Sequence, residues 1–444
     1  MRSPQPHAVG IDFGTTNSTV AVCDADGRTR LARFSTAEVI AALGRASDIE
    51  TFPSLLYFRP PEAGSGGPPQ AEAGPDAIDA FVEEGEGRLM KSLKTFLTQA
   101  SFQGTSIHNR RYSLADLLGC FLRALRARAE EALGPLGDRA VAGRPVHFAG
   151  PEGAEADALA VKRLRAGMAA AGFTDLRLAF EPVAAAHTYE AHLTRDEVVL
   201  IADFGGGTSD FCLLRVGPGV RGGRRGGEVL ATDGVDVAGD VFDARLVRRV
   251  VAPALGYGSR YRGRGQQSMP IPQWLYENVE QWHRLSFMKD RKTMELLVQL
   301  AADAEQPERL QALLHLVRAE LGFQLHQAVQ ACKVGLSHAD SAPLVFRDGP
   351  IDLAATVRRA DFEAWIADDV ARIAAAVDRT LEAAGLEAAQ VDRVFLTGGT
   401  SFVPCVRALF DQRFGAERVV TGAAFTSVGA GLARVASEAP DEAS

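Results

Sequence analysis

Two similar stretches decide the fold: VGIDFGTTNSTVAV at residues 9–22 and LIADFGGGTSDFCLL at residues 200–214. Each has an apolar run ending in Asp-Phe-Gly, then small or hydroxyl residues, then a second apolar run. This pattern predicts a strand, a tight turn and a second strand. Because the hairpin recurs about 190 residues later, among segments that alternate between strand and helix patterns, we predict an α/β protein built from two related halves.

The composition of both turns is suited to an anion. Glycine and threonine let a ligand approach the main chain closely, and consecutive backbone N–H groups bind phosphate. The hydroxyl donors are Thr15, Thr16, Thr208 and Ser209. Asp12 and Asp203 would repel phosphate unless a Mg²⁺ ion bridged the two groups. For either motif alone, an ordinary hairpin with a turn-capping Asp is an open alternative, whereas the pair favours a polyphosphate site.

A third motif, FLTGGTSFVP at residues 395–404, predicts a strand that enters a Gly-Gly turn at the start of a helix. Backbone at such a turn can lie against a ligand, and the helix N-terminus favours negative charge. A plain strand–helix connection is the alternative. The chain has no G-x-x-x-x-G-K-[ST] sequence, which excludes the P-loop route to phosphate binding.

Periodicity gives the other predicted elements. Residues 113–133 carry leucines at helical spacing, and Ser113 with Asp116 resembles a capping box. Helices are also predicted at 154–172, 240–251, 360–385 and 426–439, and at 274–335 with a break near Pro307. Strands are predicted at 144–150 and 176–182, and residues 253–272 are predicted to be irregular.

Composition limits the class of protein. The 444-residue chain is too long for one ordinary core, and its net charge of −8 argues against nucleic-acid or anionic-membrane partners. The N-terminus lacks an apolar signal segment, and no apolar stretch approaches a membrane span. Five scattered cysteines indicate free thiols in a reducing compartment. We therefore expect a cytoplasmic protein.

With these three motifs in order, the chain resembles the actin, hexokinase and heat-shock-protein-70 ATPase superfamily. The heat-shock protein 70 (Hsp70-type chaperone) family is the most similar, especially its YegD-like members. The similarity includes residues 144–189, which resemble the connecting segment with its Glu-Pro-x-Ala-Ala-Ala run. It implies an actin-like ATPase fold, with ribonuclease H-like duplicated lobes and a nucleotide cleft between them. The expected divisions are lobe I at 1–190, lobe II at 191–425 with a helical insertion at about 253–335, and a C-terminal helix and tail at 426–444.

The resemblance also implies roles for individual residues. Asp12 and Asp203 would hold a hydrated Mg²⁺. Lys94 would orient the attacking water and the γ-phosphate, and Glu181 would help place that water or the metal shell. Thr208 would lie near the γ-phosphate, and Asp203 would take part in catalysis. From sequence alone Lys91 is a rival to Lys94, and Glu181 could be structural. The residues expected to bind ATP or ADP are Gly14, Thr15, Thr16, Asn17, Gly205, Gly206, Gly207, Thr208, Lys333, Gly398, Gly399 and Thr400.

Some positions depart from the pattern of this family. Gln330 and Val334 replace the usual glutamate and arginine of the adenine pocket, Phe402 replaces the arginine of the adenosine motif, and Ala423 and Ala424 replace an acidic pair. An arginine that stacks on adenine is worth about 1 kcal/mol, so we expect a weaker base pocket. The chain also ends at Ser444, where full chaperones continue into a peptide-binding domain.

These observations predict a slow, Mg²⁺-dependent ATPase of the Hsp70 type without a peptide-binding domain. Its nucleotide state would set lobe closure, which a protein partner would sense. The first alternative is a nucleotide-sensing module with negligible turnover. The second is a small-molecule kinase of the same superfamily, although no stretch marks an aspartate base or a sugar pocket.

Overall fold

A computed structural model describes most of the chain. The described residues are 8–35, 48–60, 69–84, 87–146, 148, 153–190, 193–220, 227–263, 267–421 and 428–438. They form two compact units. Unit 1 comprises Met1–Asp236, Ala374–Ser401 and Ala408–Ser444, and unit 2 comprises Val237–Ile373 and Phe402–Arg407.

Strands occur throughout the described chain. In chain order they are β1 (Ala8–Asp12), β2 (Asn17–Cys23), β3 (Thr29–Leu31), β4 (Phe34–Ser35), β5 (Asp48–Ile49), β6 (Phe52–Pro53), β7 (Leu55–Phe58), β8 (Ala71–Ala73), β9 (Arg88–Lys91), β10 (Gly104–Ile107), β11 (Arg110–Ser113), β12 (Arg139–Arg144), β13 (Asp175–Phe180), β14 (Glu197–Phe204), β15 (Ser209–Val216), β16 (Glu228–Val235), β17 (Arg260–Arg262), β18 (Ser268–Pro270), β19 (Ser341–Asp348), β20 (Ile351–Arg358), β21 (Arg393–Thr397) and β22 (Val419–Thr421).

Helices lie between these strands. In chain order they are α1 (Pro75–Glu84), α2 (Leu114–Leu133), α3 (Ala154–Ala170), α4 (Glu181–Glu190), α5 (Gly239–Leu246), α6 (Ala252–Ala254), α7 (Trp274–Glu280), α8 (Arg291–Asp303), α9 (Pro307–Arg318), α10 (Gly322–His338), α11 (Arg359–Trp365), α12 (Ala367–Ala384), α13 (Pro404–Phe414) and α14 (Val428–Ser437). Short 3₁₀ segments are Leu93–Phe96, Trp282–Lys289, Ala388–Gln390 and Gly399–Phe402, and Val247–Val251 is a π turn. None of the helices in the described residues is both long and apolar enough to cross a bilayer.

Unit 1 contains two sheets of the same topology. The first has the order β13-β12-β1-β2-β3, with β6 also paired to β2, and the second has the order β16-β15-β14-β21-β22. In each, the hairpin with the Asp-Phe-Gly turn is antiparallel, and its first strand pairs in parallel with a later strand on the other side. This duplication confirms the predicted actin-like α/β fold.

Close helix–strand packing fixes the first hairpin. Strand β1 is buried at Val9 and Ile11, and α14 lies against it. A Cβ atom at Gly10 would lie 2.2 Å from the backbone nitrogen of Ala433, so only glycine permits this contact. The end of β1, which carries Asp12, is therefore held in place by main-chain packing.

Unit 2 is a helical body with two small hairpins. Helices α7 to α10 surround buried side chains such as Tyr276 and Leu313. The hairpin β19–β20 packs on α10, and the second hairpin is β17–β18. Because β17 and β18 lie within residues 253–272, the prediction that this stretch is irregular was wrong; each strand has only three residues, too few to show an alternating pattern.

Other local predictions had mixed outcomes. The helix predicted at 113–133 is confirmed as α2, including the capping box between Ser113 and Asp116. In the described part of 144–150, which lacks residues 147, 149 and 150, the strand prediction was wrong: β12 ends at Arg144, directly before Pro145, which has no N–H group to donate. The break predicted near Pro307 is confirmed, since this proline begins α9.

Candidate functional site

The turn after β1 is a compact loop held by a serine. A Cβ atom at Gly14 would lie 2.0 Å from the carbonyl oxygen of Asn17, so the turn closes only with glycine there. Ser54 donates its hydroxyl to the Gly14 carbonyl at 2.8 Å and its backbone N–H to the Thr16 carbonyl at 2.8 Å. The hydroxyl oxygen of Thr16 is buried and has no hydrogen-bond partner. The loop therefore retains a buried, unsatisfied donor.

The turn after β14 has the same form. The Gly205 N–H donates to the Thr208 carbonyl at 2.9 Å and closes the turn, while Gly206 and Gly207 are partly exposed at its tip. The Thr208 hydroxyl donates to Asp210 at 3.1 Å. In this structure Thr208 is thus engaged with a carboxylate of its own hairpin.

The third motif lies directly against the second. Gly398 has φ of +80°, and a Cβ atom there would lie 2.0 Å from the Phe204 carbonyl oxygen. Gly399 is exposed, with open space where a Cβ atom would project. Next to this turn, the Thr397 hydroxyl donates a hydrogen bond to Asp203. Two motifs almost two hundred residues apart in sequence therefore meet at one carboxylate.

Lys94 lies in the 3₁₀ segment Leu93–Phe96, directly after Ser92, which has φ of +60°. Its ammonium contacts the Glu181 carboxylate at 2.8 Å, and only 12% and 13% of the two side chains is exposed. Glu181 is the first residue of α4. The structure thus brings together the lysine and the glutamate that sequence analysis selected, from positions 87 residues apart.

Five ionisable side chains of unit 1 form one group, which we call the carboxylate cluster: Asp12, Lys94, Glu181, Asp203 and Asp210. Burial, with repulsion by Asp203 and Glu181, raises the pKa of Asp210 to about 7. Burial, followed by repulsion from Glu181 and Asp203, likewise raises the pKa of Asp12. Burial opposes the charge on Lys94, but Glu181, Asp12 and Asp210 outweigh it and raise the pKa of the ammonium. Four carboxylates against one ammonium make this a site that attracts a cation.

Mg²⁺ fits the carboxylate cluster by charge and by donor type, because it prefers oxygen ligands. Asp12 ends β1, Asp203 is the residue before the end of β14, and the unsatisfied hydroxyl of Thr16 lies in the turn after β1. Among the described residues, no three His, Cys, Asp or Glu side chains are arranged to chelate a metal by themselves. In proteins Mg²⁺ usually keeps several waters and binds through one or two carboxylates plus phosphate.

The remaining predicted residues lie in different places. Thr15 is half-buried in the first turn, Asn17 is exposed at the start of β2, and Thr400 is buried after the Gly-Gly turn. Lys333 belongs to α10 in unit 2, where its ammonium pairs with Asp243 at 2.9 Å. Within unit 2, Lys333 is thus already neutralised by a buried carboxylate.

Sequence analysis missed Asp210 and Thr397. Asp210 pairs with Asp203 across the β14–β15 hairpin, and Thr397 pairs with Asp203 across the parallel strands β14 and β21. The hairpin register was available as a signal: the seven-residue spacing around a tight turn places Asp210 opposite Asp203. The parallel pairing of β14 with β21 could not be predicted, because nothing in the sequence near Thr397 indicates which strand lies beside it.

The duplicated sheets define an actin-like fold. The Hsp70 family profile, described as "Hsp70 protein", matches residues 79–259 and 318–436. The chain therefore belongs to the Hsp70 family.

Individual relatives agree with this assignment. The chain is similar to "Chaperone protein DnaK" of Thermus thermophilus and of Thermosipho melanesiensis, each 27% identical over 421 residues, and to that of Guillardia theta, 26% identical over 416 residues. These matches cover 92%, 94% and 90% of this chain. They cover only 57%, 56% and 55% of the relatives, so the chain spans little more than half of their length.

The positions that depart from the family pattern lie partly on the surface of unit 2. Val334 and Phe402 are 54% and 53% exposed, and Gln330 is half-buried on α10. Ala423 and Ala424 lie outside the described residues. Two exposed apolar side chains therefore stand where arginines were expected.

Unit 2 also contains a cavity of about 190 Å³. Its floor is apolar and includes Leu255, Leu316 and Leu353, and its α9 wall falls in residues 260–317, which the family profile does not match. None of the predicted nucleotide-site residues lines it. We assign it no part in nucleotide binding.

Proposed function

We propose that the chain binds Mg·ATP at the carboxylate cluster and hydrolyses it slowly to ADP and phosphate. The observation that carries this proposal is the convergence of Asp12, Lys94, Glu181 and Asp203, from four separate segments, in one buried group. Structural ion pairs seldom leave three carboxylates in excess. A site that receives a cation and a polyphosphate accounts for the imbalance.

Four of the five cluster residues have a direct role in this proposal: Asp12, Lys94, Glu181 and Asp203. Asp12 and Asp203 would hold the hydrated Mg²⁺, and Thr397 would keep the Asp203 carboxylate oriented through its hydrogen bond. When bound, the ion would neutralise charge on the transferred phosphoryl group. Backbone N–H groups of both glycine turns would donate to phosphate oxygens.

Lys94 and Glu181 would act on the attacking water. Their 2.8 Å ion pair fixes the end of a flexible lysine, which would otherwise adopt many rotamers. With the ammonium fixed, the water would be oriented toward the γ-phosphate, and the rate enhancement would come from positioning and charge.

The first experiment compares Lys94→Met with Lys91→Met in single-turnover ATP hydrolysis. Lys91 is the matched control, because it lies three residues away on β9 and outside the carboxylate cluster. We expect Lys94→Met to lower the rate about a hundredfold while ATP still binds, and Lys91→Met to stay within about twofold. Equal rates in wild type and Lys94→Met would contradict the catalytic role.

The exposed Val334 and Phe402 favour a second candidate, a nucleotide-sensing module with negligible turnover. Without arginines at these positions, the pocket holds the base less tightly and selects it less strictly. Calorimetry with ATP, ADP and GTP, beside the single-turnover assay, separates the two functions: tight binding without product supports the module.

A protein partner that senses the nucleotide state also belongs to this proposal, as does a cytoplasmic location. The support for both is that the chain belongs to the Hsp70 family and is similar to DnaK chaperones. Affinity capture in ATP and again in ADP would test it. A partner retained in one state alone supports the proposal, and identical captures in both states contradict it.

A further inference from the structure

Arg163, on helix α3, forms an unusual set of hydrogen bonds. Its guanidinium donates to four backbone carbonyls, those of Phe96 at 2.8 Å, Leu97 at 3.1 Å, Gln99 at 2.9 Å and Phe102 at 3.0 Å. In the part of the chain that the structure describes, this half-buried group meets carbonyls and no carboxylate. A single arginine side chain thus donates hydrogen bonds to the main chain at four positions between residues 96 and 102.

That segment directly follows Lys94. Residues 92–102 form successive short turns, in which the N–H of Leu97 donates to the Lys94 carbonyl and the N–H of Gln99 to the Phe96 carbonyl. Such turns lack the i+4 donors of a continuous helix, so single i+3 bonds and side chains hold the segment. Arg163, more than 60 residues away, adds donors to the Phe96 and Gln99 carbonyls, which already accept a backbone N–H, and donates to the Leu97 and Phe102 carbonyls.

The segment needs an external support for a second reason. It begins with Ser92 in the left-handed region, at φ of +60°, which a residue other than glycine adopts only when its surroundings hold it. Leu93 and Leu97 anchor one side in the core, with 2% and 0% exposure. Arg163 anchors the other side. Lys94 projects from between these two supports toward Glu181.

We propose that Arg163 is a positioning residue for hydrolysis: it fixes the turn that carries Lys94, so that the ammonium meets Glu181 at 2.8 Å. This inference rests on the proposed ATPase function. The two N–H groups of Nη1 are shared among the Phe96, Leu97 and Gln99 carbonyls, and Nη2 donates to the Phe102 carbonyl, whereas a lysine lacks this planar fork. Loss of Arg163 should therefore displace Lys94 without removing it.

The test uses Arg163→Met and Arg163→Lys, with Arg165→Met as the matched control. Arg165 lies on the same helix and is exposed, and among the described residues its guanidinium donates to the Leu176 carbonyl. We expect Arg163→Met to slow single-turnover hydrolysis about tenfold or more, with less than about a threefold change in ATP affinity. Arg163→Lys should fold, and its rate of hydrolysis should fall by a smaller factor. Arg165→Met should hydrolyse ATP at the wild-type rate.

A double-mutant cycle distinguishes positioning from general stability. If Arg163 acts through Lys94, Arg163→Met should add no further loss to Lys94→Met. Hydrogen exchange gives a readout without activity: amides of residues 93–102 should exchange faster in Arg163→Met, and amides of β14 should not. Wild-type rates in both Arg163 variants, or fully additive losses in the cycle, would overturn the inference.

The outcomes also separate this inference from the proposed function. If wild type releases no ADP, or Lys94→Met hydrolyses ATP normally, the ATPase proposal fails, and exchange at 93–102 still shows whether Arg163 holds the turn. If Lys94→Met is inactive and Arg163→Met is normal, the ATPase stands and the inference is wrong.

Discussion

At the scale of residues, Asp203 and Asp210 are carboxylates that face each other on neighbouring strands. They are register partners across the β14–β15 hairpin, an arrangement that destabilises a sheet unless positive charge is supplied. The Thr397 and Thr208 hydroxyls each satisfy one of them. The strain of this pair is what a bound cation would relieve.

We predict that the free energy of unfolding of the nucleotide-free protein depends on pH through Asp210. The folded Asp210 has a pKa of about 7 and the unfolded one about 3.8, so the folded state binds more protons between these values. The free energy of unfolding should then fall as pH rises from 4 to 7, by up to about 4 kcal/mol, and level off above pH 7. Asp210→Asn should be more stable than wild type at pH 8 and should have a shallower slope.

Urea unfolding between pH 5 and pH 8 measures how the free energy of unfolding changes with pH. Asp352→Asn is the control, because the Asp352 side chain is 78% exposed and pairs with Arg347 at the surface. An Asp210→Asn slope equal to that of wild type would show that Asp210 is not the group that titrates.

At the scale of elements, the contact between the third motif and β14 depends on one glycine. Gly398→Ala places a Cβ atom 2.0 Å from the Phe204 carbonyl at φ of +80°, so we expect a loss of about 2 kcal/mol or more in unfolding free energy. Gly399→Ala meets open space and should change stability by less than about 1 kcal/mol. Urea denaturation of both variants is the measurement, and equal losses would contradict the close contact.

Elements defined by local sequence could be predicted. Both hairpins and the cap of α2 follow from residues within about ten positions of each other. Strand β12 could not, because Arg139–Arg144 is short and rich in small residues, and it forms a strand through parallel pairing on both sides.

The site could be predicted only where its signal is local. Asp12 and Asp203 stand at the ends of apolar runs, so their chemistry is visible in the sequence. Lys94 needed the family resemblance, since nothing near it in sequence indicates Glu181. Thr397 and Arg163 were missed because their contacts arise from tertiary packing across distant segments.

At the scale of the whole molecule, both copies of the duplicated sheet would contribute to one site for one metal ion and one nucleotide. The two sheets of unit 1 have the same order, and each carries an aspartate in the last two residues of its first hairpin strand. A single charged ligand bound at the carboxylate cluster would use both copies of the hairpin together. The duplicated hairpin would then form the binding site as well as the sheets.

The most direct test of this claim is a crystal structure of the chain with ATP and Mn²⁺ in place of Mg²⁺, with the metal located by anomalous scattering. The account predicts one strong peak within a water molecule's reach of both Asp12 and Asp203, with the nucleotide phosphates beside it. A peak at only one of these aspartates, or a nucleotide bound away from both glycine turns, would contradict it.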